Sequence, residues 1–183
     1  MPATTFAAAR PEHLELLLGW LETDHVREFW DDSRAHKDDI RIFTEGRREP
    51  SVYFDGVFDY WVGSLDGEPF CLLMTSFVTA DDDLPASWLP HLSAGGKTVT
   101  IDFCIGSLDH LGKGHAAPTL TAFVAFFRSA VEPLADTFLI DPDADNPRAQ
   151  HVYLKAGFAE VGSFIMPSGT FAGQETCLMV LTV

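Results

Sequence analysis

The stretch from Thr98 to Phe158 constrains the fold more than any other part of the chain. Its first segment, Thr98–Ile105, alternates. Thr98, Thr100, Asp102 and Cys104 fall on one side of an extended backbone, and Val99, Ile101, Phe103 and Ile105 on the other. The second set is core-like, so Asp102 is a carboxylate on the polar side of an otherwise buried strand. The loop Leu111-Gly112-Lys113-Gly114-His115-Ala116 follows. A helical stripe of Leu120, Phe123, Val124, Phe127 and Val131 opens directly after it. Pro118 fits only a first helical turn, which sets the helix start near His115 or Ala116. Two glycines let the loop bend until several N–H groups face one point, and the helix N-terminus adds partial positive charge there. Strand, loop and helix together suit an anion such as a phosphate or pyrophosphate. Phe138–Asp141 then reads as a short buried strand, and the turn Asp141–Asp145 lies at its C-terminal end, where ligands collect in open α/β sheets. Asn146 can cap the next helix, which carries Tyr153.

These residues resemble the GNAT N-acetyltransferase superfamily. Its pyrophosphate loop reads Gln/Arg-x-x-Gly-x-Gly/Ala, and Gly112, Lys113, Gly114, His115 and Ala116 fit the end of that pattern. Leu111 departs from it by standing where Gln or Arg is preferred. The segment Asn146-x-x-Ala149-x-x-x-Tyr153-x-x-x-Gly157-Phe158 is similar to the family's Asn…Tyr…Gly-Phe helix. Within the family, Trp20–Asp32 resembles the N-terminal part of the aminoglycoside 6′-N-acetyltransferases. The resemblance implies one α/β domain over residues 1–183, with a central twisted mixed sheet flanked by helices. It implies acetyl-CoA as cofactor, held by Leu111–Ala116, by Asn146 and by the backbone of Phe103, Cys104 and Ile105.

The chemistry follows from that implied cofactor. A thioester carbonyl needs a hydrogen-bond donor as charge develops on it, and backbone N–H groups of Phe103 to Ile105 are the candidates. An acceptor amine arrives as an ammonium and must lose a proton, a task for the Asp102 carboxylate, directly or through water. Tyr153 is the family's donor to the departing thiolate. By the same resemblance Trp30, Asp102 and Asp141 bind the acceptor. Plainer readings stay open: Asp102 as a surface carboxylate, Tyr153 and Trp30 as packing aromatics, Asn146 as a cap alone, Asp141 as a turn residue. Cys104 as an acyl-accepting nucleophile is disfavoured, because no His base adjoins it.

Charge narrows the partners. With 27 acidic and 12 basic residues the formal charge is −15, which disfavours nucleic acid and favours cations. The first-choice acceptor is a small cationic amine of aminoglycoside or polyamine type. A siderophore-precursor or protein acceptor, or a non-catalytic acyl-CoA-binding module, are the alternatives. Acidic residues at Asp31–Asp32, Asp38–Asp39, Asp81–Asp83 and Asp141–Asp145 are read as lining an acceptor cleft, with a simply solvated face as the plainer alternative. Cys71, Cys104 and Cys177 have neither disulfide-framework nor metal-site spacing, no apolar run has membrane-span length, and no secretory signal opens the chain. The expectation is a cytoplasmic monomer or homodimer without a metal.

The remaining elements are read locally. Thr4–Ala8 suits a strand; Leu14, Leu17, Leu18 and Leu21 recur at helical spacing after Pro11. A helix and then a loop are expected between Asp31 and Pro50. Phe58–Val78 reads as a hairpin about Asp66-Gly67. Ala80–Gly96 is a loop with one helical turn, and Phe158–Phe164 and Glu175–Thr182 are strands able to form a closing hairpin.

Overall fold

The computed structural model describes residues 4–53 and 56–183. Alternation and turn chemistry set its strands. β1 (Thr4–Ala8) pairs antiparallel with β2 (Asp59–Leu65), which turns through Asp66-Gly67 into β3 (Glu68–Val78). Both turn residues have positive φ, 50° and 89°, the conformation that a two-residue hairpin needs and Asp-Gly tolerates. β4 (Lys97–Ile105) and β5 (Ala135–Ile140) are parallel. The chain between them forms helix α4 (Ala116–Phe126), whose end widens into a π-type turn at Phe127–Val131. β6 (Ala159–Ile165) and β7 (Glu175–Thr182) form the expected antiparallel hairpin. Among the described residues the strands make one mixed sheet in the order β1-β2-β3-β4-β5-β7-β6, and helices flank it.

The chain groups into two compact units, Met1–Ser76 with Phe103–His115, and Phe77–Asp102 with Ala116–Val183. In the first, helices α1 (Leu14–Leu21), α2 (Asp24–Arg27) and α3 (Arg34–Thr44) accompany β1 to β3. Leu17, Leu21, Ile40, Tyr60 and Leu72 are its fully buried centre, with Trp20, Val26 and Met74 around them. Ser33 opens α3, its Oγ accepting from His36 N–H. The buried face of α3 carries three polar residues, His36, Asp39 and Thr44, beside Ile40, so its core contact is not purely apolar.

In the second unit, β5 continues into the core through Leu139, which packs with Val78, Trp88 and Leu178. Phe127 of the π-type turn meets Phe138 edge-on at 6.1 Å and Phe123 at 5.8 Å. β7 pairs with both β5 and β6, leaving β6 at the sheet edge. β6 is exposed nearly throughout, and Phe164, held edge-on to Trp88 at 5.8 Å, is its half-buried anchor. Helix α5 (Pro147–Lys155) precedes β6 and ends at Gly157, where φ is 99°.

Candidate active site

The end of β4 and the glycine loop lie in the first unit. Gly106 N–H and Ser107 N–H both donate to Phe70 O, at 3.0 and 3.1 Å. Gly106 lies so close to the indole of Trp20 that a Cβ there would come within 2.0 Å of Trp20 Cδ2. A short 3-10 turn, Leu108–His110, leads to Leu111. Gly112 and Gly114 then adopt φ of 74° and 80°, conformations that side chains resist. Both glycines are exposed, and a Cβ on either would meet, among the described residues, no atom within 4 Å beyond its own chain neighbours. Backbone bared to open space just before α4 fits a bulky anion laid against the loop. Lys113 is exposed between the glycines, while His115 and Ala116 are half-buried at the helix start. His110 and His115 meet each other and Phe70 at tilted or edge-on angles, with ring centres 5.2 to 6.2 Å apart. Their ring contacts fit loop residues without a catalytic role.

Within β4 the expected alternation holds at Val99, Ile101 and Phe103, all buried, and at the half-buried Asp102 and Cys104. It breaks at two places. Thr98 is buried on the polar side, where its Oγ1 accepts from Ser93 N–H at 2.7 Å, and Ile105 is only half-buried. Cys104 packs its side chain against the Trp20–Tyr60–Leu72 core cluster, which suits a packing residue.

Asp102 and Asp141 belong to the second unit, and the structure brings them together. The parallel register runs to Thr100↔Leu139, so two residues further along each chain Asp102, on β4, comes level with Asp141, the first residue past β5. Both residues are half-buried. Burial raises Asp102 to about 6. Burial, followed by the charge of Asp102, raises Asp141 well above the ordinary carboxylate range. Two carboxyls whose charges oppose each other in this way disfavour double ionisation.

Asn146 and Tyr153 lie on the next helix of the same unit. Asn146 Oδ1 accepts from Ala149 N–H at 3.0 Å, so Asn146 is a cap, with Pro147 at the first helical position. Tyr153 is buried, 6.3 Å from the ring of Phe158. The turn after Asp141 is fastened to β7: Cys177 N–H donates to Pro142 O and Ala144 N–H to Glu175 O, both at 2.9 Å.

Trp30, in the first unit, is half-buried and packs on the core cluster of α1 and α3. Its ring lies 6.2 Å from that of His36, which stacks on Tyr53 at 4.7 Å. His36 Nδ1–H donates to the Asp31 carbonyl at 2.6 Å, and burial lowers its pKa. The acidic rim expected from Asp31 to Asp39 is not formed as free carboxylates. Asp31 is buried and accepts from Ser33 N–H and Oγ–H. Asp32 pairs with Arg27 at 2.9 Å, and Asp38 with Arg34 and Arg41. Asp39 is fully buried, ion-paired to Arg47 at 2.6 Å and bonded by Tyr60 Oη–H at 2.5 Å and by Ser51 Oγ–H. In the second unit Asp82 is likewise engaged in its own turn, by Thr79.

Sequence reasoning overlooked two first-unit features. One is the Asp39–Arg47 ion pair. The other is His25, whose Nε2–H donates to Ile105 O at 2.9 Å. Neither has a local signal, because each partner is chosen by packing and not by spacing.

Residues 10–166 match the family model for the acetyltransferase (GNAT) domain. The aminoglycoside N(6′)-acetyltransferase type 1 of Klebsiella pneumoniae is 27% identical over 159 residues, covering 86% of this chain and 75% of the relative. The crystal structure of an aminoglycoside N(6′)-acetyltransferase from Legionella pneumophila superposes with a TM-score of 0.74 at 26% identity, over 98% of this chain and 91% of the other. A structure of AAC(6′)-Ib in complex with paromomycin and acetyl-CoA gives a TM-score of 0.75 at 24% identity, over 98% and 93% of the two chains, a likeness of fold. With the family model spanning most of its length, the chain belongs to the GNAT acetyltransferases.

Proposed function

We propose that the protein, acting as a single catalytic domain over residues 1–183, transfers an acetyl group from acetyl-CoA to a primary amine of a small cationic acceptor. Transfer is by direct attack in a ternary complex, and the enzyme works in the cytoplasm. The observation that carries the choice of acceptor is the parallel register that brings the Asp102 and Asp141 carboxyls together, a pair of acids fit to receive one positive charge. The aminoglycoside acetyltransferases similar to this chain support the same acceptor class.

Acetyl-CoA supplies a thioester, an acyl group already activated for transfer. The exposed positive-φ glycines 112 and 114, with Leu111, Lys113, His115 and Ala116, would cradle its phosphates. Backbone N–H groups of Phe103, Cys104 and Ile105 are the donors for the carbonyl oxygen as it gains charge. Asp102 and Asp141 bind the ammonium, and Trp30 is likewise assigned to the acceptor. Asp102 then takes the proton that the amine must lose before its lone pair can attack. Carbon–nitrogen bond formation is matched by carbon–sulfur cleavage, and the Tyr153 phenol protonates the leaving sulfur. Asn146 caps the helix that carries Tyr153 through its Oδ1, and its side-chain N–H groups would contact the cofactor.

A panel of amines assayed with acetyl-CoA by free-thiol release tests the reading. Polycationic primary amines are expected to react best. Turnover confined to neutral or anionic acceptors would move the siderophore-precursor or protein alternative forward. Binding of acetyl-CoA without turnover on any amine would favour a non-catalytic module.

A further inference from the structure

The last peptide of β4 is fixed at both ends. In a trans peptide the N–H and C=O point in opposite directions. The N–H of the Ile105–Gly106 peptide goes to Phe70 O on β3, with Ser107 N–H on the same oxygen. The C=O points away from that contact and meets His25 Nε2 at 2.9 Å, a partner 80 residues distant in sequence. A carbonyl only accepts, so Nε2 carries the proton. The Trp20 indole closes a third side, against the bare Cα of Gly106.

His25 is delivered by α2, one turn of helix held in place by its neighbour Val26, which is 1% exposed. A helix this short has little stability of its own, so its position depends on that burial. The side chain of His25 is half-buried and spans from α2 to the strand end. Water could satisfy a strand-end carbonyl equally well. A side-chain donor differs in fixing direction as well as satisfying the group.

We propose that His25 is a positioning residue for acyl transfer. By holding the Ile105 carbonyl it sets the rotation of the final β4 peptides, and hence the aim of the Phe103–Ile105 N–H groups. The inference rests on the functional reading above, which makes those N–H groups the donors to the thioester carbonyl. Donors of this kind act through placement, and a misplacement of about 1 Å can cost on the order of 10²-fold in rate.

The test compares His25→Gln, which keeps a side-chain N–H donor, with His25→Leu, which fills similar volume without one. Steady-state kinetics, Tm, and hydrogen exchange at the Gly106 and Ser107 amides are measured on both and on the parent. His25→Leu is expected to lower kcat by about 10–100-fold, with the amine KM and Tm near the parent's and faster exchange at both amides. His25→Gln should recover most of kcat and of the protection. Unchanged kcat and exchange in His25→Leu, or an equal loss in both variants, would overturn the positioning role while the parent remains an active acetyltransferase. If His25→Leu does not fold, a Gln variant with parental kcat and protection supports the role, and a folded Gln variant that has lost both kcat and protection overturns it. A parent chain without turnover of acetyl-CoA on any amine would overturn the functional reading, and this inference with it.

Discussion

At the scale of single residues, the site depends on two carboxyls that fold into an unfavourable place. Unfolded, each titrates near 3.9; folded, Asp102 rises to about 6 and Asp141 higher, chiefly through burial. The folded state therefore binds more protons than the unfolded state. The stability associated with these protons is present below the unfolded pKa and is lost as pH rises through the folded values. Asp102→Asn should consequently melt above the parent at pH 8, by about 2–4 °C for each 1 kcal/mol relieved in a chain of this size. The gain should vanish near pH 4; thermal melts at both values check the sign. Activity runs the other way, because proton acceptance needs the ionised form, so kcat/KM should rise with pH through about 6. Tyr153→Phe should lose kcat by about 10²–10⁴-fold while acetyl-CoA still binds, as single-turnover and binding measurements would resolve. Period-two alternation made the facing of Asp102 legible from sequence. Its pairing with Asp141 was not, because parallel strands carry no local mark of register, and only the Thr100↔Leu139 match sets the two level.

Among the elements, the glycine loop was the most legible, since few sequences other than Gly-x-Gly tolerate two positive φ angles so close together. A β-branched residue there costs about 1–3 kcal/mol of backbone strain. It also fills the space proposed for the phosphates. Gly114→Val should keep the fold and weaken acetyl-CoA by roughly tenfold or more, 1.4 kcal/mol being a factor of ten. Calorimetric titration with CoA checks this, and parental affinity in a folded variant would remove the loop from the binding account. Helix α3 was the least legible element. Its acidic residues are expected to line an acceptor cleft or a solvated face, yet Asp39 is buried against Arg47, Tyr60 and Ser51. Burial, with the Asp39 carboxylate second, raises the Tyr60 pKa, and burial raises that of Asp59 against the pull of Arg47. Arg47→Met would strand the Asp39 charge and should cost about 3–5 kcal/mol in urea unfolding. That pair joins a helix to the loop beyond it, which helical periodicity cannot report.

For the molecule as a whole, the charge of −15 supplies a field that attracts cations. Fields of this kind are screened beyond a Debye length of about 8 Å at physiological ionic strength. Raising salt should therefore lower kcat/KM for a polyamine or aminoglycoside without a parallel fall in affinity for the anionic cofactor. Strand and helix positions followed from periodicity and turns, whereas the insertion of β7 between β5 and β6 did not, because sheet order depends on long-range packing such as Phe164 on Trp88. The central claim is that Asp102 anchors a cationic amine and takes its proton. Its most direct test is kcat/KM for a graded panel of cationic, neutral and anionic amines, measured by thiol release with the parent and Asp102→Asn. The expected result is a preference for polycations in the parent and a fall of about 10²–10⁴-fold for every amine in the variant, with acetyl-CoA affinity retained. Equal activity in the two proteins, or a parent that prefers neutral or anionic acceptors, would contradict it.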